Sequence, residues 1–161
     1  MPRSASTAIY KMARILTREN GAWVKDYDSS KKTKYHVIRV HDFDDQLANE
    51  ADFVFTPSLA ISEIIASLDR MGWPTEYVEE SLIRQREEWR PHSTWEFPYA
   101  DIVERTEYVM RGIATTLQVE FTKELLEEFL AIKEPIEDMD SVTLMHAGHR
   151  ATSLMPKLSQ R

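Results

Sequence analysis

The stretch Trp89-Arg-Pro-His-Ser-Thr-Trp-Glu-Phe-Pro-Tyr99 lies between two predicted pairs of helices and divides the chain. It carries four aromatic residues and two prolines. Because proline has no amide proton and interrupts helices, these residues predict an extended joint rather than a continuous helix. Trp95, Phe97 and Tyr99 alternate, so an extended segment would direct their rings to a common side.

Two interpretations of this joint remain open. The rings could cover the core between the helices on either side, or they could form a contact surface for another molecule. Trp, Tyr and Arg are over-represented among the residues that contribute most to binding at protein interfaces. We therefore predict a partner-binding site formed by Trp89, Arg90, Trp95, Phe97 and Tyr99.

Helical patterns flank the joint on both sides. Before it, one helix is predicted to begin at Thr56-Pro57-Ser58 and end at Gly72, and a second to run from Thr75 to about residue 90. After it, apolar residues at helical spacing predict a helix over 101–117 and another from Thr122 to about residue 133. The sequence thus predicts about four α-helices arranged as two helical hairpins.

The region before the first helical pair favours strands. Asn20-Gly21 is a strong signal for a two-residue hairpin turn, and residues 34–43 are rich in β-branched and aromatic side chains. These features predict an N-terminal three-stranded antiparallel β-meander, so the predicted fold class is α+β. A helical interpretation competes, because four apolar residues recur at helical spacing: Ile9, Met12, Ala13 and Leu16.

The length of 161 residues and the hydrophobic content of 42% suit one domain. We expect a flexible N-terminus over 1–11, a single α+β domain over 12–135 and a partly disordered, flexible basic C-terminal tail over 136–161.

Charge is distributed unevenly along the chain. The formal net charge of -7 arises from +6 over residues 1–41, -16 over 42–140 and +3 over 141–161. The acidic middle indicates either solvated helix faces or a surface for a basic partner. The absence of cysteine excludes disulfides and thiolate chemistry, and no apolar run approaches the roughly 20 residues of a membrane span. These features favour a cytoplasmic protein that does not enter a membrane.

The leading functional prediction is a small acidic cytosolic regulator or inhibitor, of the kind found in phage or mobile elements, that binds another protein with a basic surface. Acidic helices and the aromatic joint would form the contact. We expect no enzymatic activity, cofactor or metal, since no catalytic motif is present.

Two alternatives come from other side chains. A basic meander could bind nucleic acid through Lys25, Lys31, Lys32, Lys34 and Arg39, with Trp23, Tyr27 or Tyr35 stacking on bases. A metal- or histidine-dependent enzyme would use some of the five histidines, which are His36, His41, His92, His146 and His149.

Overall fold

The structure is a computed structural model that describes residues 5–70 and 72–132. This part of the chain is about 57% helical. Its α-helices are α1 (Ser6–Thr17), α2 (Asp45–Glu50), α3 (Ile61–Arg70), α4 (Val78–Trp89), α5 (Tyr99–Glu104), α6 (Thr106–Leu117) and α7 (Lys123–Leu130). Its strands are β1 (Ala22–Trp23), β2 (Ile38–Arg39), β3 (Phe55–Ser58) and β4 (Trp95–Pro98), and short 3-10 helices cover Val24–Asp26 and Arg90–His92.

The strands form two small parallel sheets. β1 pairs with β2, and β3 pairs with β4 so that Phe55 lies opposite Trp95 and Pro57 opposite Phe97. A parallel pair cannot be joined by a tight turn, because the chain must return to the same end before the second strand begins. Helices α3 and α4 supply this return between β3 and β4.

The predicted three-stranded antiparallel meander is wrong, because its first strand is replaced by α1. The competing helical spacing prevails: α1 buries one stripe of side chains and packs against both α6 and α7. The Asn20-Gly21 signal marks a backbone with positive φ, 67° at Gly21, but the chain arrives there from a helix. Residues 6–11, expected to be flexible, belong to α1.

The predicted third strand over 34–43 is also reduced. Only Ile38–Arg39 pairs as a strand, and it runs parallel to β1. The segment before it is held by another contact, since the hydroxyl of Tyr35 donates a hydrogen bond of 3.1 Å to the carbonyl of Leu117 at the end of α6. The long segment 24–37, and not a hairpin turn, therefore connects β1 to β2.

The prediction of about four α-helices is wrong, because the described residues form seven, although some of the predicted helix bounds are confirmed. Helix α4 lies within its predicted range, and Thr122 caps α7 by accepting a 3.4 Å hydrogen bond from the amide of Leu125. The helix predicted over 101–117 is interrupted at Arg105, whose φ of -126° is not helical. The second predicted helical hairpin is wrong. Helices α6 and α7 each pack against α1 more than against each other.

Two clusters of buried side chains result. The main core is formed by residues of α1, β4, α5, α6 and α7, with Phe97, Met110 and Ile113 fully buried. The α3–α4 hairpin has a smaller cluster of its own, formed by Ile64, Leu68 and Leu82. Leu59 packs against both clusters and so connects the hairpin to the main core.

The predicted basic tail over 136–161 lies outside the described residues, and the domain limits of 12–135 remain a prediction. Within the described residues, no helix has both the length and the apolar character required to span a membrane.

Candidate partner-binding surface

Strand β4 directs two of the predicted site residues to the same side. The rings of Trp95 and Phe97 stack with centroids 4.6 Å apart, as the period of two along a strand requires. Phe97 is fully buried and meets the ring of Phe55 on the neighbouring strand. Tyr99 begins α5 and is buried in the main core. Phe97 and Tyr99 therefore face the protein interior.

At the other end of the joint, neighbouring residues also differ in their exposure to solvent. Trp89 is buried at the end of α4, where its ring meets that of Phe43 edge to face at 5.1 Å. Arg90, the next residue, is exposed. Of the five predicted site residues, only Arg90 is exposed and only Trp95 is half-buried.

The position of Trp95 is fixed by a glycine on α6. A Cβ atom placed on Gly112 would lie 2.3 Å from the Cη2 atom of Trp95, far inside van der Waals contact. Glycine is therefore required if the indole is to lie against the helix backbone. Held between Gly112 and Phe97, the Trp95 ring has one defined orientation.

Tyr108 extends this packing to the surface. Its ring meets Trp95 edge to face, with centroids 6.3 Å apart, and the residue is 46% exposed. The guanidinium of Arg105 lies 4.2 Å from the centroid of the Tyr108 ring and also pairs with Asp101 at 3.3 Å. These contacts orient an exposed aromatic ring with a cation on its face.

Arg111, six residues after Arg105 and three after Tyr108, is held in the same manner on α6. It pairs with Glu107 at 2.7 Å, and its guanidinium lies 4.2 Å from the centroid of the Phe121 ring. Trp95, Arg105, Glu107, Tyr108 and Arg111 together form what we call the α6 surface. It presents the residue types typical of interface hot spots, in orientations fixed by packing and ion pairs.

Part of this surface is indicated by local spacing in the sequence. Asp101 with Arg105 and Glu107 with Arg111 lie four positions apart in a predicted helix, which predicts two ion pairs, and the structure confirms both. Tyr108 was missed. The signal for it was an aromatic residue located between two exposed ion pairs, outside the apolar stripe of α6.

The residues of the nucleic-acid alternative are separated by the structure. Lys25, Lys31, Lys32 and Lys34 are all exposed between β1 and β2. Arg39 is buried instead, with its guanidinium 4.2 Å from the Trp23 ring centroid and its Nη2 atom 3.3 Å from Nε2 of His41. The lysines thus form a basic segment, while Arg39 belongs to the packing of β2.

The same segment contains a stabilised carboxylate. Asp28 accepts hydrogen bonds from the hydroxyl of Ser30 at 2.6 Å and from its amide at 2.9 Å. These bonds favour the charged form and lower the pKa of Asp28, with a smaller contribution from the charge of Lys31. The rings of Tyr27 and His36 meet edge to face nearby, at 5.4 Å.

The histidines do not converge within the described part of the chain. His36, His41 and His92 each contact an aromatic ring, and no three His, Asp or Glu side chains in residues 5–70 and 72–132 lie close enough to hold a metal ion. His146 and His149 lie outside the described residues.

Comparisons with protein-family models, with curated proteins and with solved structures found no match.

Proposed function

We propose that the protein is a small cytosolic regulator or inhibitor that acts by binding another protein through the α6 surface. The observation that carries the proposal is the half-exposed Tyr108 ring, fixed by Trp95 on one side and by Arg105 on its face. Binding immobilises flexible side chains at an entropic cost, and this cost is reduced where packing has already fixed the side chains.

The charges around this surface support a partner with a basic surface. Glu104, the last residue of α5, is exposed and pairs with no cation of the described residues. Elsewhere in the fold, α4 exposes Glu79, Glu80 and Glu87, which add to the negative charge of the whole protein. An excess of carboxylates accelerates encounter with a positively charged partner and disfavours an acidic one.

A matched pair of tyrosines provides the test. Tyr108→Ala removes the central ring of the α6 surface, whereas Tyr77→Ala removes a ring that is 84% exposed at the start of α4. Proteins retained from the native host on immobilised wild-type chain should be lost with Tyr108→Ala and kept with Tyr77→Ala. Loss with both variants, or with neither, would contradict the proposal.

Two further measurements complete this test. The melting temperature of Tyr108→Ala should remain within a few degrees of the wild type, because the ring is only half-buried. With the retained partner purified, its association rate should fall steeply as salt increases, because salt screens the attraction between opposite charges.

The exposed lysines favour a second candidate function, nucleic-acid binding. Lys25, Lys31, Lys32 and Lys34 lie on one connection, and none of them pairs with a carboxylate of the described residues. Replacing these four lysines by glutamine should abolish retention on single-stranded RNA or DNA at low salt and leave partner capture unchanged. Absence of wild-type retention at low salt would exclude this candidate.

A further inference from the structure

A second polar site lies on the opposite side of β4 from the α6 surface. Because neighbouring residues in a strand point to opposite sides, Glu96 faces away from Trp95. It lines a small cleft that is partly open to solvent and encloses a volume of about 10 Å³, together with Thr56, Pro57, Arg86, Trp89 and Arg90. The pocket lies between the β3–β4 sheet and the end of α4.

The pocket contains two arginines, neither of which pairs with a carboxylate among the residues that the structure describes. Arg86 is half-buried and donates a hydrogen bond from Nη2 to the carbonyl of Leu59, while its Nε atom is buried without a hydrogen-bond partner in the described structure. Arg90 follows one turn later and is exposed. Neither guanidinium lies within 4 Å of a carboxylate of the described residues.

An arginine withdrawn from water without a counter-charge is unfavourable unless a ligand supplies the missing charge. Arg86 is the partly buried group of the two, and the like charge of Arg90 on the same cleft adds to the cost. The planar fork of each guanidinium matches the oxygen atoms of a phosphate or a carboxylate, and bidentate contacts of this kind are among the strongest hydrogen bonds in proteins. The pocket therefore has the donors of an oxyanion site.

A hydroxyl group adds to these donors. The hydroxyls of Thr56 and Ser93 are 2.7 Å apart, and their mutual hydrogen bond uses only one of their two protons. When Ser93 donates, the proton of Thr56 is available to a molecule in the pocket. The buried ring of Trp89 forms an apolar part of the lining.

Two features of the pocket disfavour anion binding and therefore limit the affinity for an anion. Glu96 supplies one negative charge to the lining, so the two arginines leave a net charge of one positive unit. The carboxyl end of α4 is also unfavourable to anions, because the helix dipole is negative there. The arginine side chains, and not the helix end, must therefore hold the ligand.

We propose that the pocket between Arg86 and Arg90 binds a phosphate-type oxyanion, either free or as a phosphoryl group on a larger molecule. Arg90 contributes the accessible guanidinium, Arg86 the buried one and Thr56 a hydroxyl donor. Glu96 limits the affinity, so the site binds and releases the anion readily at millimolar concentrations.

The test uses inorganic phosphate as the probe, at constant ionic strength, with the full chain observed by amide NMR. Saturable shifts are expected for the amides of Thr56 and of residues 86–96. Arg90→Gln should weaken binding about tenfold through the loss of a charge-assisted contact, and Glu96→Gln should strengthen it about threefold. Arg84→Gln is the matched control, because Arg84 is an exposed arginine of α4 that does not line the pocket.

The same titration with O-phosphoserine distinguishes the sources of the anion. Tighter binding than that of inorganic phosphate indicates a phosphorylated peptide, and equal or weaker binding indicates the free ion. The proposal is overturned if the shifts do not saturate, if they fall only on the lysine-bearing segment 24–37, or if Arg84→Gln and Arg90→Gln weaken binding equally. None of these outcomes depends on Tyr108, so this site and the α6 surface are tested separately.

Discussion

The main core and the α3–α4 hairpin are both helical, but they are stabilised to very different extents. The main core contains fourteen buried residues drawn from five elements, whereas the hairpin cluster contains three. Each large apolar side chain that is fully buried contributes about 1.5–3 kcal/mol, so the hairpin has far less to oppose local opening. Polar contacts help to hold it in place, among them the hydrogen bond of 3.1 Å from Gln85 to Asp42. We conclude that stability is concentrated around α1 and α6.

The largest expected difference comes from removing one buried side chain in each region. Phe97→Ala should lower the free energy of unfolding by about 3–5 kcal/mol, and Leu82→Ala by about 2–3 kcal/mol, because both side chains are fully buried and phenylalanine is the larger. Urea denaturation measures both values. Hydrogen exchange in Leu82→Ala should accelerate only in α3 and α4, and uniform acceleration across α1 and α6 would show that the two regions unfold together.

Alanine substitutions at two glycines compare the tight packing of the main core with the open turn between α3 and α4. Gly112→Ala should destabilise the protein by about 1–3 kcal/mol, because the new methyl group overlaps the Trp95 ring. Gly72→Ala adds a methyl group in open space, so its cost of about 1 kcal/mol comes from the positive φ of 69° alone. Thermal unfolding of the two variants should therefore give a clearly larger loss at Gly112, accompanied by a change in tryptophan fluorescence that Gly72→Ala lacks.

Substitutions of the residues that precede α7 and α4 should change the free energy of unfolding by smaller amounts and in opposite directions. Thr122→Ala removes the side-chain cap of α7 and should cost about 1 kcal/mol. Tyr77 precedes α4 with a φ of 62° and no side-chain cap, so Tyr77→Gly should stabilise the protein by about 1 kcal/mol. Destabilisation by Tyr77→Gly in a thermal melt would indicate that the exposed ring contributes more than the relief of backbone strain.

The smallest effect is expected in the segment between β1 and β2, which belongs to neither cluster. Ser30→Ala should raise the pKa of Asp28 toward its ordinary value of 3.8, since one of the two hydrogen bonds to the carboxylate is lost. The wild-type pKa is lowered by folding. Its contribution to stability is therefore present above pH 3.8 and is lost as the pH falls through the folded pKa. An NMR titration of the Asp28 side chain measures both values, and an unchanged pKa would contradict the role of the hydroxyl.

The features predicted correctly from sequence depend on residues close together in the chain. The cap at Thr122, the range of α4 and the ion pairs of α6 each involve residues three or four positions apart, so their physical cause is local. The segment Thr56-Pro57-Ser58 was predicted to begin a helix and instead forms β3. Its partner strand lies about forty residues away, and no local pattern indicates that pairing.

The N-terminal region shows a conflict between two local signals. Both the Asn20-Gly21 turn and the apolar spacing from Ile9 to Leu16 were visible, and tertiary packing against α6 and α7 decides in favour of the helix. The candidate surface was visible only in part for the same reason. The Tyr108 ring packs on Trp95, which in turn lies against Gly112, and these contacts join β4 to α6.

The parallel pairing of β3 and β4 has a consequence for the order of folding and for protein engineering. The two strands cannot meet until α3 and α4 have returned the chain, so this sheet must form after a long loop closes, and we expect it to be a late event. Loop-closure entropy grows slowly, and doubling this connection would cost only about 0.6 kcal/mol. The exposed turn at Gly72, between α3 and α4, is therefore the natural position for inserting a peptide tag or a second domain.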